Sequence, residues 1–104
     1  VAWIVLIISG VLETVWAAAL AASGGLSRLR PSVLFAAALT GSMVGLGYAL
    51  RTIPLGTGYA VWVGIGAAGT AAYGMTALHE PVTAARLVCL TMIVGGVVGL
   101  KVLH

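Results

Sequence analysis

Glu13 is the only charged side chain between Val1 and Ala22, in a run that is otherwise almost wholly apolar. An ionisable side chain at such a place is costly to bury and marks a functional site by default. Helical spacing puts Gly10, Glu13, Trp16 and Ala17 on one face of that run. Ser42 lies midway along a second apolar run, and Tyr59 and Trp62, three residues apart, share a face of a third. If these runs cross a bilayer side by side, a carboxylate, two indoles, a phenol and a hydroxyl meet at one depth. That set suits an organic cation. The carboxylate supplies the counter-charge, and each aromatic face attracts a cation by about 0.5–2 kcal/mol. A planar cation with forked N–H donors can also engage both carboxylate oxygens. The Ser42 and Tyr59 hydroxyls are expected to hold the acid in place.

The same chemistry implies coupling. Burial favours the neutral form of a carboxyl group, whereas a bound cation favours the charged form. An empty, unpaired carboxylate in an apolar cavity costs several kcal/mol. Glu13 is therefore expected to carry either a proton or a substrate cation. A site that alternates between the two while opening to each side in turn is an antiporter.

Composition sets the stage for such a site. Of 104 residues, 62% are hydrophobic and 7% charged, against about 25% charged in soluble domains. A soluble domain this small has no way to hide so much apolar surface, so the class is an all-α integral membrane protein in a single domain, residues 1–104. A crossing needs about 20 apolar residues, and four spans are read at 2–22, 32–50, 54–78 and 82–101. The breaks between them are the turn-rich, basic segment 23–31, the segment 51–54 with Pro54 suited to a helix first turn, and His79-Glu80-Pro81. The first run has no basic stretch before it and is too long for a signal peptide's apolar region, so no cleavable leader is expected.

Lysines and arginines barely choose an orientation. With four spans, Arg51 and Lys101 fall on one side and Arg28, Arg30 and Arg86 on the other. The positive-inside bias is then nearly balanced, which is consistent with insertion in both directions and an antiparallel pair as the working unit, eight helices in all. Gly41 and Gly45, and Gly95 and Gly99, form G-x-x-x-G pairs that let helix backbones approach closely. Gly64 to Gly69 spells G-x-G-x-x-G, but no strand precedes it and it lies inside a span, so it is no dinucleotide fingerprint. Its glycines are read as a flexible stretch, two or three of them forming a kink about which the third span flexes, with close packing as the alternative.

Other classes fit poorly. A net charge of +3 is too thinly spread for a nucleic-acid footprint. Cys89 stands alone and forms no internal disulfide. No metal-ligand cluster or nucleophile–base pair is visible, so neither enzyme chemistry, nor a metal, nor a cofactor other than protons as coupling ion is expected.

Four short spans, the lone Glu13, the loop Ser23-Gly24-Gly25-Leu26-Ser27-Arg28 and the run from Gly58-Tyr59-Ala60-Val61-Trp62 to Val63-Gly64-Ile65-Gly66 together resemble the small multidrug resistance transporters, over essentially the whole chain. Within them, Glu13-Thr14-Val15-Trp16-Ala17 and His79-Glu80-Pro81 are similar to the guanidinium-exporter branch, with Trp16 the main discriminator. The resemblance implies a multi-pass protein of a prokaryotic inner membrane, an antiparallel homodimer that exports guanidinium and related small guanidinyl cations against protons by alternating access. It implies that Glu13 binds proton and substrate, that Gly10, Trp16, Ser42, Tyr59 and Trp62 line the site, that Gly64 and Gly66 form the kink, and that the fourth span, with Gly95 and Gly99, packs the dimer. The chain departs from the family in having Ala21 and Ala22 where a Lys is usual, and in its glycine-rich fourth span; a heterodimer with a paralogue is the variant this leaves open. Two other readings remain. One is a broad quaternary ammonium or multidrug exporter of the same family. The other is a non-transporting, proton-binding membrane subunit, against which the aromatics beside the acid argue.

Overall fold

The computed structural model describes residues 1–103, and His104 lies outside them. The described chain is four helices with no strand: α1 (Ala2–Ala22), α2 (Leu29–Ala49), α3 (Leu55–Ala77) and α4 (Ala84–Leu103). At 1.5 Å per residue each is about 30–35 Å long, enough for a hydrocarbon core of about 30 Å. Composition alone also qualifies α1, α2 and α4 as spans. In α3 the apolar residues are diluted by glycines, threonines and two tyrosines, so it does not qualify by composition.

Helix ends follow local chemistry. α2 begins at Leu29, three residues before the second span as read from the sequence, and takes Pro31 into its first turn. A proline is tolerated there because the first N–H groups of a helix have no intrahelical partner. α3 starts one residue after Pro54, whose extended backbone makes it the N-cap. α4 starts only at Ala84, because the Thr83 hydroxyl accepts the Arg86 N–H at 3.1 Å as an N-cap. Between α3 and α4, His79 adopts a positive φ of 56° and lets the Glu80 N–H return to the Gly74 carbonyl at 3.1 Å.

The loop between α1 and α2 is built on Ser23. Its hydroxyl donates to the Leu20 carbonyl at 2.7 Å and accepts the Leu26 N–H at 2.9 Å. Three consecutive residues, Gly24, Gly25 and Leu26, have φ of 58°, 74° and 70°. Glycine takes this region freely, but a leucine pays about 1–2 kcal/mol. The Leu26 side chain is exposed and gains little burial in return. Leu26→Gly should therefore raise stability by up to about 1 kcal/mol, after the extra unfolded-state freedom of glycine is deducted. Thermal unfolding in detergent reads this directly.

α1 is the centre of the arrangement. It packs along both α2 and α3, which scarcely meet each other, and α4 leans on α3, reaching α1 where Lys101 lies over the Trp3 ring, 5.2 Å from its centroid. The order across the molecule is α2–α1–α3–α4. The result is a slab of 41 × 35 × 17 Å, between one and two helix diameters thick. Its small core comprises Leu6, Leu46, Ala49, Ile53, Val61 and Trp62. No residue of α4 is buried, and large apolar side chains are exposed along all four helices. Such a surface is ordinary against lipid tails and untenable in water.

Candidate functional site

A hydrogen-bonded chain crosses three helices beside Glu13. The Trp62 indole N–H of α3 donates to the Ser42 hydroxyl of α2 at 3.1 Å, and Ser42 donates to the Ser9 carbonyl of α1 at 2.7 Å. The Ser9 hydroxyl in turn donates to the Val5 carbonyl at 2.7 Å. Ser9, Ser42 and Trp62 are all buried. Ser42 is thus neither a back-bonding helix serine nor a direct support for the acid; it fixes the Trp62 ring against α1. Removing its oxygen strands a buried N–H. Hydrogen bonds between membrane helices average about 0.6 kcal/mol with a ceiling near 1.7, and an unsatisfied buried donor costs about 1–3. Ser42→Ala should therefore lower stability by about 1–2 kcal/mol. Because the cost comes from the orphaned indole, the same substitution in a Trp62→Phe background should cost markedly less. A double-mutant cycle by thermal unfolding measures the difference.

Glu13 points to α3. A side chain at Gly66 would collide with its carboxyl group, so the acid lies directly on the α3 backbone at a position that only glycine leaves open. The adjacent Thr14 hydroxyl donates to the Gly66 carbonyl at 3.3 Å, and a side chain at Gly69 would meet Thr14. One helical turn earlier, Gly10 lets α1 approach Ile65 and the Trp62 carbonyl. Three glycines, one on α1 and two on α3, thus bring the backbones together around the acid. Glu13 Oε1 and Trp16 Nε1 are both buried without a hydrogen-bond partner. A carboxylate oxygen accepts and an indole N–H donates, so α1 carries one open acceptor facing α3 and, one turn on, one open donor on the side chain that meets α2. In native proteins such pairs are rare enough to call for a ligand or an added partner.

Among the residues read from the sequence, the structure joins Ser42 to Trp62 by a hydrogen bond and Tyr59 to Trp62 by ring contact, centroids 5.6 Å apart. Gly10 and Glu13 lie against the same helix as that pair. Trp16 turns the other way, edge-on to Phe35 of α2 with centroids 5.9 Å apart. Tyr59 is half-exposed and, among the described residues, no bond links its hydroxyl to the acid. At Gly64 and Gly66 the helix runs unbroken, and both are close-approach positions: a side chain at Gly64 would strike Val97 of α4. Gly95 and Gly99 face open space, with nothing of their own chain near. Ser9 and Thr14 were not singled out in the sequence. A serine one turn before a buried acid, and a threonine next to it, were the available signals.

The sequence comparisons decide the family. A profile of the Small Multidrug Resistance protein family matches residues 1–93. The chain belongs to this family. It is therefore a membrane transport protein and not an enzyme, a multi-pass protein of a bacterial inner membrane. Among small multidrug resistance proteins, it is 48% identical over 100 residues to a protein named "Guanidinium exporter" from Yersinia pseudotuberculosis, covering 96% of each chain. It is 50% identical over 99 residues to proteins of the same name from Citrobacter freundii and Salmonella typhimurium, covering 95% of this chain and 94% of theirs.

Proposed function

We propose that this chain exports guanidinium and related small guanidinyl cations in exchange for protons, by alternating access, as an antiparallel homodimer. The observation that carries the reading is the unpartnered Glu13 oxygen, held on the Gly66 backbone deep in α1 with an unpartnered Trp16 N–H nearby in sequence. A forked cation satisfies such an oxygen with charge-assisted bonds, and a proton satisfies it in the cation's absence. Protonated and substrate-bound states then exclude each other, which is the condition for exchange. The nearby Trp62 and Tyr59 rings supply faces for the cation, and the relatives' printed names point to the same substrate.

Several features support a second copy. A slab 17 Å thick encloses no pathway by itself. α4 packs mainly on α3, and side chains added at Gly95 and Gly99 would meet nothing of the described chain, an approach surface of the kind membrane helices use to pair. The nearly balanced basic residues at the two ends favour an antiparallel partner. Proteoliposomes with an imposed pH gradient test the proposal. Guanidinium should be taken up against the proton flux and resist competition by bulky aromatic cations. Uptake that ignores the pH gradient overturns proton coupling, and strong competition by the aromatic cation replaces the substrate class.

A further inference from the structure

A cavity runs along α1 from Thr14, the residue after Glu13, towards the end of the helix. It has a volume of about 500 Å³ and runs between α1, α2 and α3, with Ala18 and Ala22 as its floor and Arg30, Leu34 and Tyr73 on its walls. At about 100° per residue, Ala18 and Ala22 stand roughly 140° and 180° around α1 from Glu13. The cavity therefore turns away from the carboxylate along α1, from Thr14 and Val15 beside Glu13 to Ala22 and Arg30 at its far end.

Its chemistry is lopsided. Alanine, leucine and proline line most of it, and a single guanidinium closes one end. The chain has only two carboxylates to offer Arg30. Glu80 is taken by Arg86 at 3.5 Å, and Glu13 lies on α3 across α1. Arg30 also sits in the first turn of α2, a helix N-terminus with no side-chain cap and no acidic residue in that turn. Such an end carries partial positive charge and unsatisfied N–H groups that attract an anion, and Arg28 is the N-cap residue beside it. An apolar trough about 12 Å long on α1, with an uncompensated basic end, matches the upper part of an acyl chain tipped by an anionic headgroup. Basic pockets between transmembrane helices take such headgroups.

We propose that this trough is a binding site for one anionic phospholipid, its acyl chain along Ala18 and Ala22 and its phosphate on Arg30 and the α2 N-terminus. The inner end of the site adjoins Glu13 through Thr14, so Arg30 and Ala22, at the far end, are the positions that separate lipid retention from exchange. Native mass spectrometry of the detergent-purified protein, titrated with phosphatidylglycerol or phosphatidylcholine of equal chain length, tests it. Phosphatidylglycerol should be retained preferentially. Arg30→Gln should reduce that retention by about fivefold, the size of one interfacial charge contact. Ala22→Phe, which fills the trough while leaving Arg30 in place, should reduce retention of both lipids, with thermal unfolding without lipid confirming that the variant is folded. Equal retention of the two lipids, an unchanged Arg30→Gln protein, or displacement of phosphatidylglycerol by inorganic phosphate alone would each overturn the proposal.

Discussion

Glu13→Gln should abolish proton-coupled guanidinium exchange while leaving the fold intact. Glutamine keeps the length of the side chain and fits the space over Gly66, so the packing of α1 on α3 need not change. It loses two properties at once. An amide has no proton to release or take up, so coupling falls to zero. It is also neutral, so a guanidinium no longer finds its counter-charge. Hydrogen bonds to charged groups contribute about 1.5–3 kcal/mol, and each 1.4 kcal/mol is a factor of ten, so affinity should fall about 10- to 100-fold. Solid-supported-membrane currents read the coupling and tryptophan fluorescence reads the binding, since Trp62 is close by. Should the variant still exchange protons for guanidinium, another group carries the proton and the reading of the site is wrong.

The exclusive pairing of proton and cation rests on what a single chain supplies. One acid stands on the α3 backbone, and the only other carboxylate, Glu80, is in the α3–α4 connection and already paired with Arg86. No basic side chain lies within α1 to neutralise Glu13. A charge left in an apolar surrounding must be met by something that arrives from outside, and the two candidates are the proton and the substrate.

The membrane class and the four helices were legible because composition leaves no other way to place so much apolar surface. The helix ends were less so. Pro31 reads as a loop residue, yet the first turn of a helix does not need its missing N–H, and α2 takes it in. Thr83 reads as a span residue, yet its hydroxyl serves as a cap and delays α4. For the site, helical spacing located Gly10 and Glu13 on one face of α1 and Tyr59 and Trp62 on one face of α3. It did not reveal that Trp16 turns to Phe35 or that Ser42 serves Trp62 and Ser9 instead of the acid. Spacing fixes the azimuth of a side chain about its own helix, but the partner depends on the rotation and height of the neighbouring helix. Those are set by where backbones can approach, at Gly10, Gly45, Gly66 and Gly69. A glycine in a membrane span has many uses, and only the packed structure assigns one.

Gly66 gives the sharpest test of that assignment. In an α-helix alanine is favoured over glycine by about 1 kcal/mol, so Gly66→Ala should leave α3 at least as stable in itself. The added methyl, however, falls on the Glu13 carboxyl. That group is the free end of a flexible side chain and can swing aside, so the fold survives while the acid leaves its position. Gly66→Ala should therefore show near-native thermal unfolding together with a loss of guanidinium affinity of about tenfold, the worth of one misplaced charge-assisted bond. Gly10→Ala makes the contrast. There the methyl meets the β-carbon and a γ-methyl of Ile65 at 2.9 and 2.8 Å, atoms of a β-branched side chain that is stiff about χ1. The helices must part, and the expected result is destabilisation of about 1–3 kcal/mol with binding lost in proportion to folding. If instead Gly66→Ala unfolds like Gly10→Ala, the glycine serves helix packing alone and the carboxylate is held by something else. If it unfolds and binds like the native chain, Glu13 does not rest on α3 in the working protein.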